Sequence, residues 1–321
     1  MRRSYLCDRE GNVESGLTVD RLRQALGNEQ SLLWVDIEDP QDADIEVLLE
    51  VFELHALTVE DCIMPNVRPK LEDFERYLFI ILQGLRRGEN QKLQSVELDV
   101  ILGKNFLITV RSERIRSLDE VCARVERKSP IIKRGPDFLF YAITEALIDS
   151  YFPFLDEVEA KVDVMETRML SGSTEDTVRE LLGIYHEITT LRRTLAPHRD
   201  ILNQLNRGEL PFIQPRHHIY FRDIYDHLMR MSDLVDSARE VTTLSLEAHA
   251  TIVSNRLNEI MKTMTAFATL ALPLIIVTGI FGMNFGEHPE LGPRMIYQVF
   301  SLLMLASMPV MLYYFRKYKW L

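Results

Sequence analysis

Two long uncharged stretches, Thr263 to Gly286 and Met295 to Phe315, limit what this chain can fold into. At 24 and 21 residues each is long enough to cross the hydrocarbon of a bilayer as a helix. Lipid supplies no partner for a backbone N–H or C=O, so a helix is the form that satisfies such a segment from within. Only Glu287 to Arg294 separate the two, which predicts an antiparallel helical hairpin. Lys262 precedes it and Arg316, Lys317 and Lys319 follow it, whereas Glu287, Glu290 and Arg294 in the connection sum to −1. That bias in Lys and Arg predicts both chain termini in the cytoplasm and the connection outside.

The rest of the chain is charge-rich and acidic. With 48 Asp and Glu against 37 Lys and Arg, a net charge of −11 and 321 residues, there is room for one soluble domain of ordinary size besides the hairpin, and no basic footprint for nucleic acid. Cys7, Cys62 and Cys122 lie far apart without CxxC spacing, so they are expected as packed thiols rather than as a disulfide framework or a thiolate metal site. Met1-Arg2-Arg3 leads into Ser-Tyr-Leu-Cys-Asp rather than an apolar core, so no cleavable signal is expected. No nucleophile, base and orienting group form a pattern, and no glycine loop of the Walker type is present, which argues against an enzyme.

Residues 1–135 read as an α/β domain. Leu32–Ile37, Tyr77–Leu82, Val96–Leu102 and Phe106–Val110 are the strand candidates, with Gly103-Lys104-Asn105 as a tight hairpin connection using positive φ. A helix is expected over Gln41–Phe52, capped by Asp39 with Pro40 at its first position, and a shorter element over Leu57–Ile63 ends before Pro65. Residues 136–218 read as long antiparallel acidic helices. One runs from Asp137 to Leu170, with Tyr151, Leu155, Val158, Val162, Met165 and Met169 as a heptad seam, and ends at Ser171-Gly172-Ser173. Ser173 and Asp176 resemble a capping box for the next, whose seam is Val178, Leu181, Tyr185, Ile188 and Leu195, interrupted by Arg192.

A last helix is expected from near Tyr220 to Phe281: residues 219–262 as a stalk, 263–282 as the first membrane span. A connection over 283–294, a second span over 295–315 and a basic tail over 316–321 complete the chain. On the long helix Asn258, Met261, Thr265, Ala268, Leu272, Ile275 and Gly279 recur every three or four residues. They read either as a path for ions or as a surface for lipid or helix packing. Two helices cannot enclose water, so a path requires several copies around an axis.

The residues at the hairpin tip favour the path. Gly279-Ile280-Phe281-Gly282-Met283-Asn284-Phe285 followed by Pro289-Glu290-Leu291 resembles the signature of CorA-type magnesium and cobalt transporters. Asn255 to Lys262, Tyr220 to His227, Pro65 to Lys70, Leu102 to Leu107 and the tail from Tyr314 also resemble stretches of that family, so that roughly residues 30–321 are covered.

The resemblance implies an α+β cytoplasmic domain, a mixed sheet with helices, followed by long helices and a C-terminal two-helix transmembrane hairpin. It further implies a funnel-shaped homopentamer in the cytoplasmic (inner) membrane, moving magnesium inward with cobalt or nickel as surrogates. In that frame Gly282, Met283 and Asn284 form the selectivity filter. Asn284 amides bond to the hydration shell of an ion that gives up water reluctantly. Asn258, Met261, Met264, Thr265 and Leu272 fall on pore and gate positions. Asp61 and Asp223 match the principal intersubunit pair that binds regulatory magnesium, with Glu60 and Glu145 as accessory carboxylates.

Three departures stand out. Glu145 replaces a common aspartate, Phe281 a tyrosine, and His288, beside Glu287 and Glu290 in the external loop, a methionine. A histidine there raises the zinc-transporting ZntB type as the alternative. A membrane-anchored metal sensor or scaffold is the alternative from another class.

Overall fold

The structure is a computed structural model that describes residues 1–64, 68–127, 129–172, 175–207, 210–281 and 293–317. It contains two compact units, Met1–Ser245 and Leu246–Leu321.

The first unit is built on seven strands: β1 (Arg2–Cys7), β2 (Val13–Ser15), β3 (Leu32–Glu38), β4 (Lys70–Asp73), β5 (Tyr77–Arg87), β6 (Leu93–Gly103) and β7 (Phe106–Arg111). They lie in the order β2-β1-β3-β7-β6-β5-β4, with β3 and β7 parallel and every other neighbouring pair antiparallel. The sheet is covered on both faces, which is why its inner strands read as nearly unbroken apolar runs. Leu33, Val35 and Ile37 of β3, Phe79 and Ile81 of β5, and Ile108 and Val110 of β7 pack one face against α1 (Val19–Leu26), α2 (Asp42–Glu46) with the π-helical turn that extends it, and α3 (Ala56–Ile63). The other face carries α4 (Arg116–Glu126) and α5 (Pro136–Asp149). Each fully buried large side chain here contributes about 1.5–3 kcal/mol.

Three expectations for this domain are corrected. The stretch 41–52 is not one α-helix: after α2 the backbone widens into a π turn, Val47–Val51. Asp39 is not its cap, because its N–H still bonds Arg111 C=O at 2.8 Å as the end of the β3–β7 ladder, at φ +53°. Gln41 caps instead, its N–H donating to Asp44 at 3.2 Å. The Gly103 turn exists between β6 and β7, but neither Gly103 nor Asn105 has positive φ; a Cβ on Gly103 would lie 2.2 Å from the Phe106 ring, so the glycine provides room.

The helix expected over Asp137–Leu170 is two, α5 and α6 (Phe152–Gly172). Pro153 forces the break, since its ring would collide with the Asp149 carbonyl and it has no N–H to offer. Ser150 Oγ donates to Leu147 C=O at 2.6 Å and closes α5. All six seam residues from Tyr151 to Met169 are buried. In α7 (Glu175–Asn206) the buried line is Leu181, Ile184, Ile188, Leu191 and Leu195. Arg192 therefore does not interrupt it, but points out to Asp236 at 3.1 Å. Ser173 of the expected capping box lies outside the described residues.

β4 is too short to cover β5, and the uncovered backbone at Gln83 finds substitutes. Gln83 N–H donates to His198 Nε2 of α7 at 3.0 Å, and Tyr151 donates its hydroxyl to Gln83 C=O. His198 Nδ1 lies 2.5 Å from Thr194 C=O, so the imidazole must be neutral, with its proton on Nδ1. Burial lowers its pKa to about 4. The folded pKa lies below the unfolded value of about 6.5, so the stabilisation is complete above about pH 6.5 and is lost as pH falls toward 4. Thermal unfolding of the whole chain should lose up to about 3 kcal/mol across that window from this group, taking 1.36 kcal/mol per unit. His198→Gln should flatten the profile there; an identical slope would show that another group governs it.

α8 runs unbroken from His218 to Phe281 through Pro273, and α9 spans Pro293–Lys317, so both stretches are helical where the sequence predicts helices.

Candidate ion path and regulatory carboxylates

α8 owes its length to the absence of any glycine before Gly279, and its character changes along the way. The most apolar stretch within Pro215–Gly279 is only 6% buried, whereas the comparable stretch within Pro136–Met169 is 61% buried. The second belongs to α5 and α6, whose apolar residues are buried inside the first unit. The first presents apolar surface that water alone would not tolerate.

Asn258, Met261, Met264, Thr265 and Leu272 are all exposed, Met261 by 63%, Met264 by 70% and Leu272 by 57%. Among the described residues none of them is buried, whereas Ala266 is. Thr265 donates its hydroxyl to Met261 C=O at 2.8 Å and Thr269 to Thr265 C=O at 2.7 Å. The helix itself thus satisfies these hydroxyls, as segments in an apolar medium require. Gly282, Met283, Asn284, Glu287, His288 and Glu290 lie outside the described residues.

The four regulatory candidates fall into two groups. Asp61 sits on α3, partly buried, with Lys70 Nζ at 2.7 Å; Lys70 also holds Glu72 at 3.0 Å. Glu60 beside it is exposed. Beneath Asp61, on the face of β6 that meets α3, lies Asp99, 3% exposed, with an Oδ1 that has no hydrogen-bond partner among the described residues. Burial, and then the charges of Glu97 and Asp61, push its carboxyl well above the usual range. The neighbouring Cys62 thiol is pushed up as well, chiefly by burial, which disfavours its thiolate.

The second group joins α5 to α8. Glu145 accepts a hydrogen bond from Tyr141, whose hydroxyl titrates above its usual range through burial, that bond, and the charges of Glu145 and Asp223. Asp149 follows one turn after Glu145 and is raised by burial first and by Asp223, with His227 acting in the opposite sense. Asp223 is 65% exposed, and His227 Nε2 is 3.9 Å from it. The fold thus brings Glu145 near Asp223 but gives Asp61 other neighbours. Among the described residues of one chain, no three His, Cys, Asp or Glu side chains are placed to hold a metal ion. Sequence reading missed Asp149 and His227, although each stands four residues after a residue it did single out. It also missed Asp99, a carboxylate on the core-facing alternation of an apolar strand.

The model for the family described as CorA-like Mg2+ transporter protein matches residues 29–317. A cobalt/magnesium transport protein CorA of Thermotoga maritima is 34% identical over 291 residues, covering 90% of this chain and 83% of the relative. The complete CorA magnesium transporter structure from Methanocaldococcus jannaschii superposes with a TM-score of 0.79 over 99% of this chain and 98% of that one, at 24% identity, and shares its fold. A zinc transport protein ZntB of Pectobacterium atrosepticum is 26% identical over 80% of this chain and 78% of its own. A seven-stranded mixed sheet, a 64-residue helix and a closing apolar helix carry the same architecture, and this chain belongs to the CorA-like family of membrane-embedded metal-ion transporters.

Proposed function

We propose that the protein admits magnesium to the cytoplasm through a homopentameric pore, with both termini inside, and that internal magnesium closes it. The observation that carries this is the exposed face of α8, Asn258 to Leu272, in a sequence that keeps Gly282-Met283-Asn284 intact. In that pore five Asn284 amides bond to the waters of the ion and select it without stripping them, as a small, strongly hydrated cation demands. Gly282 permits close backbone approach, and Met283 packs. Met261, Met264 and Leu272 form apolar constrictions that dewet when they narrow, while Asn258 and Thr265 give the path polar rungs. The membrane potential drives entry, at about 4.6 kcal/mol per 100 mV for a divalent ion.

In liposomes loaded with a magnesium-sensitive dye, under an inside-negative potential, the wild type should take up magnesium and Asn284→Ala should lose most of that uptake. Equal uptake by the variant would remove Asn284 from selection. His288 and the similarity to a zinc transport protein support a second reading, zinc as the cargo, which zinc uptake without magnesium uptake would establish. Absence of both fluxes would leave a membrane-anchored sensor.

A further inference from the structure

Between the ends of β5 and β6, the outer face of α4 and the α5–α6 junction lies a cavity of about 880 Å³, within the range of small-molecule sites. Its most unusual property is its charge. Arg86, Arg87, Arg114, Arg116 and Arg124 line it, in a protein with a net charge of −11.

These arginines are not equally committed. Arg87 is held by Glu157 at 2.5 Å and Glu187 at 2.9 Å, and Arg114 by Asp119 at 2.5 Å. Arg116 and Arg124 are exposed and make no ion pair among the described residues. They stand two turns apart on one face of α4, with Glu120 between them bonded to neither. Arg86 pairs with Glu113 through its terminal nitrogen at 2.7 Å, yet its Nε is buried and has no acceptor among the described residues. A donor left in that state is costly unless a ligand supplies the acceptor. Ile115 does not cap α4 with a side chain, so the positive end of that helix faces the same space.

The carboxylates in the lining refine the ligand. Glu120, Glu145 and Asp149 stand in the lining, and Glu113, Asp119, Glu157 and Glu187 already answer Arg86, Arg114 and Arg87, so Arg116 and Arg124 are the two guanidiniums left without an ion pair among the described residues. A free triphosphate carries about four negative charges and its magnesium complex about two, each phosphoryl oxygen being a strong acceptor. Leu85, Ile115 and Phe154 add an apolar end. We propose that this cavity binds a magnesium-complexed polyphosphate, with Arg116 and Arg124 holding the phosphates and Arg86 Nε donating to one of them. Such a site would let the transporter sense complexed as well as free magnesium.

Calorimetric titration of the purified full-length protein with ATP and with inorganic tripolyphosphate, each with and without magnesium, tests this without requiring transport. Saturable binding of a magnesium complex is expected, and Arg116→Ala/Arg124→Ala should weaken it at least tenfold while leaving the unliganded unfolding temperature unchanged. Arg116→Glu alone should weaken it by a similar factor. Magnesium-ATP binding more tightly than magnesium tripolyphosphate assigns the apolar end to a base, and equal binding confines the site to the phosphate chain; both sustain the proposal. No saturable binding of either at millimolar concentration, or unchanged affinity in both variants, overturns it.

Discussion

Replacing Arg111 with alanine should destabilise the α/β domain by about 3–5 kcal/mol, the range for removing one partner of a buried ion pair. Arg111 is among the largest fully buried side chains, and three acids converge on it: Asp36 at 3.1 Å, Glu38 at 3.1 Å and Asp119 at 2.9 Å, while Nη1 donates to Ile115 C=O at 3.1 Å. Asp36 is as buried as Arg111, and burial raises its carboxyl even with the guanidinium beside it. Without Arg111 that acid must remain charged in an apolar layer or take up a proton. Thr109 still donates to Asp36 at 2.8 Å, but one hydroxyl does not neutralise a charge. Trp34, fully buried and donating to Thr109 at 3.2 Å, reports on the same layer, so unfolding followed by its fluorescence measures the loss. Adding Asp36→Asn should restore part of it. A loss under 1 kcal/mol for Arg111→Ala would mean that water reaches Asp36.

The other large effect concerns regulation. In one chain Asp61 is neutralised by Lys70, and Asp223 is mostly exposed. In the proposed oligomer, where neighbouring copies bring the two together, a cation between them must compete with Lys70. Asp61→Asn with Asp223→Asn should abolish the magnesium-dependent part of protease resistance, because two amides neither repel each other nor attract the ion as carboxylates do. Limited proteolysis of the reconstituted protein with and without added magnesium reads this out. If the double variant is protected by magnesium as well as the wild type, the regulatory role of the pair fails. The conduction assay with Asn284→Ala then still stands alone.

The elements that were legible beforehand share a cause. β3, β5, β6 and β7 are buried on both faces, so their sequences had to be apolar runs, and α8 and α9 had to be uncharged over the length of a membrane. β1, β2 and β4 escaped sequence reading because they are short or carry charges, and their pairing with β3 and β5 supplies what local pattern does not. The α5–α6 break was visible as Pro153 but was hidden by the seam running through it. In α7, Ile184 and Leu191 rather than Tyr185 and Arg192 face inward, since a 3.6-residue period admits more than one apolar line and the packing partner selects among them.

By itself, the sequence determined the two apolar closing helices and the α/β character of the first 135 residues, because each depends on local composition or spacing. Only the tertiary structure decided that Arg111 would bind three acids, that His198 would complete a strand edge, that Asp99 would lie beneath Asp61, and that five arginines would line one cavity. Those groups come from segments up to 115 residues apart, and their energies depend on burial, which no stretch of chain possesses until the others have packed against it.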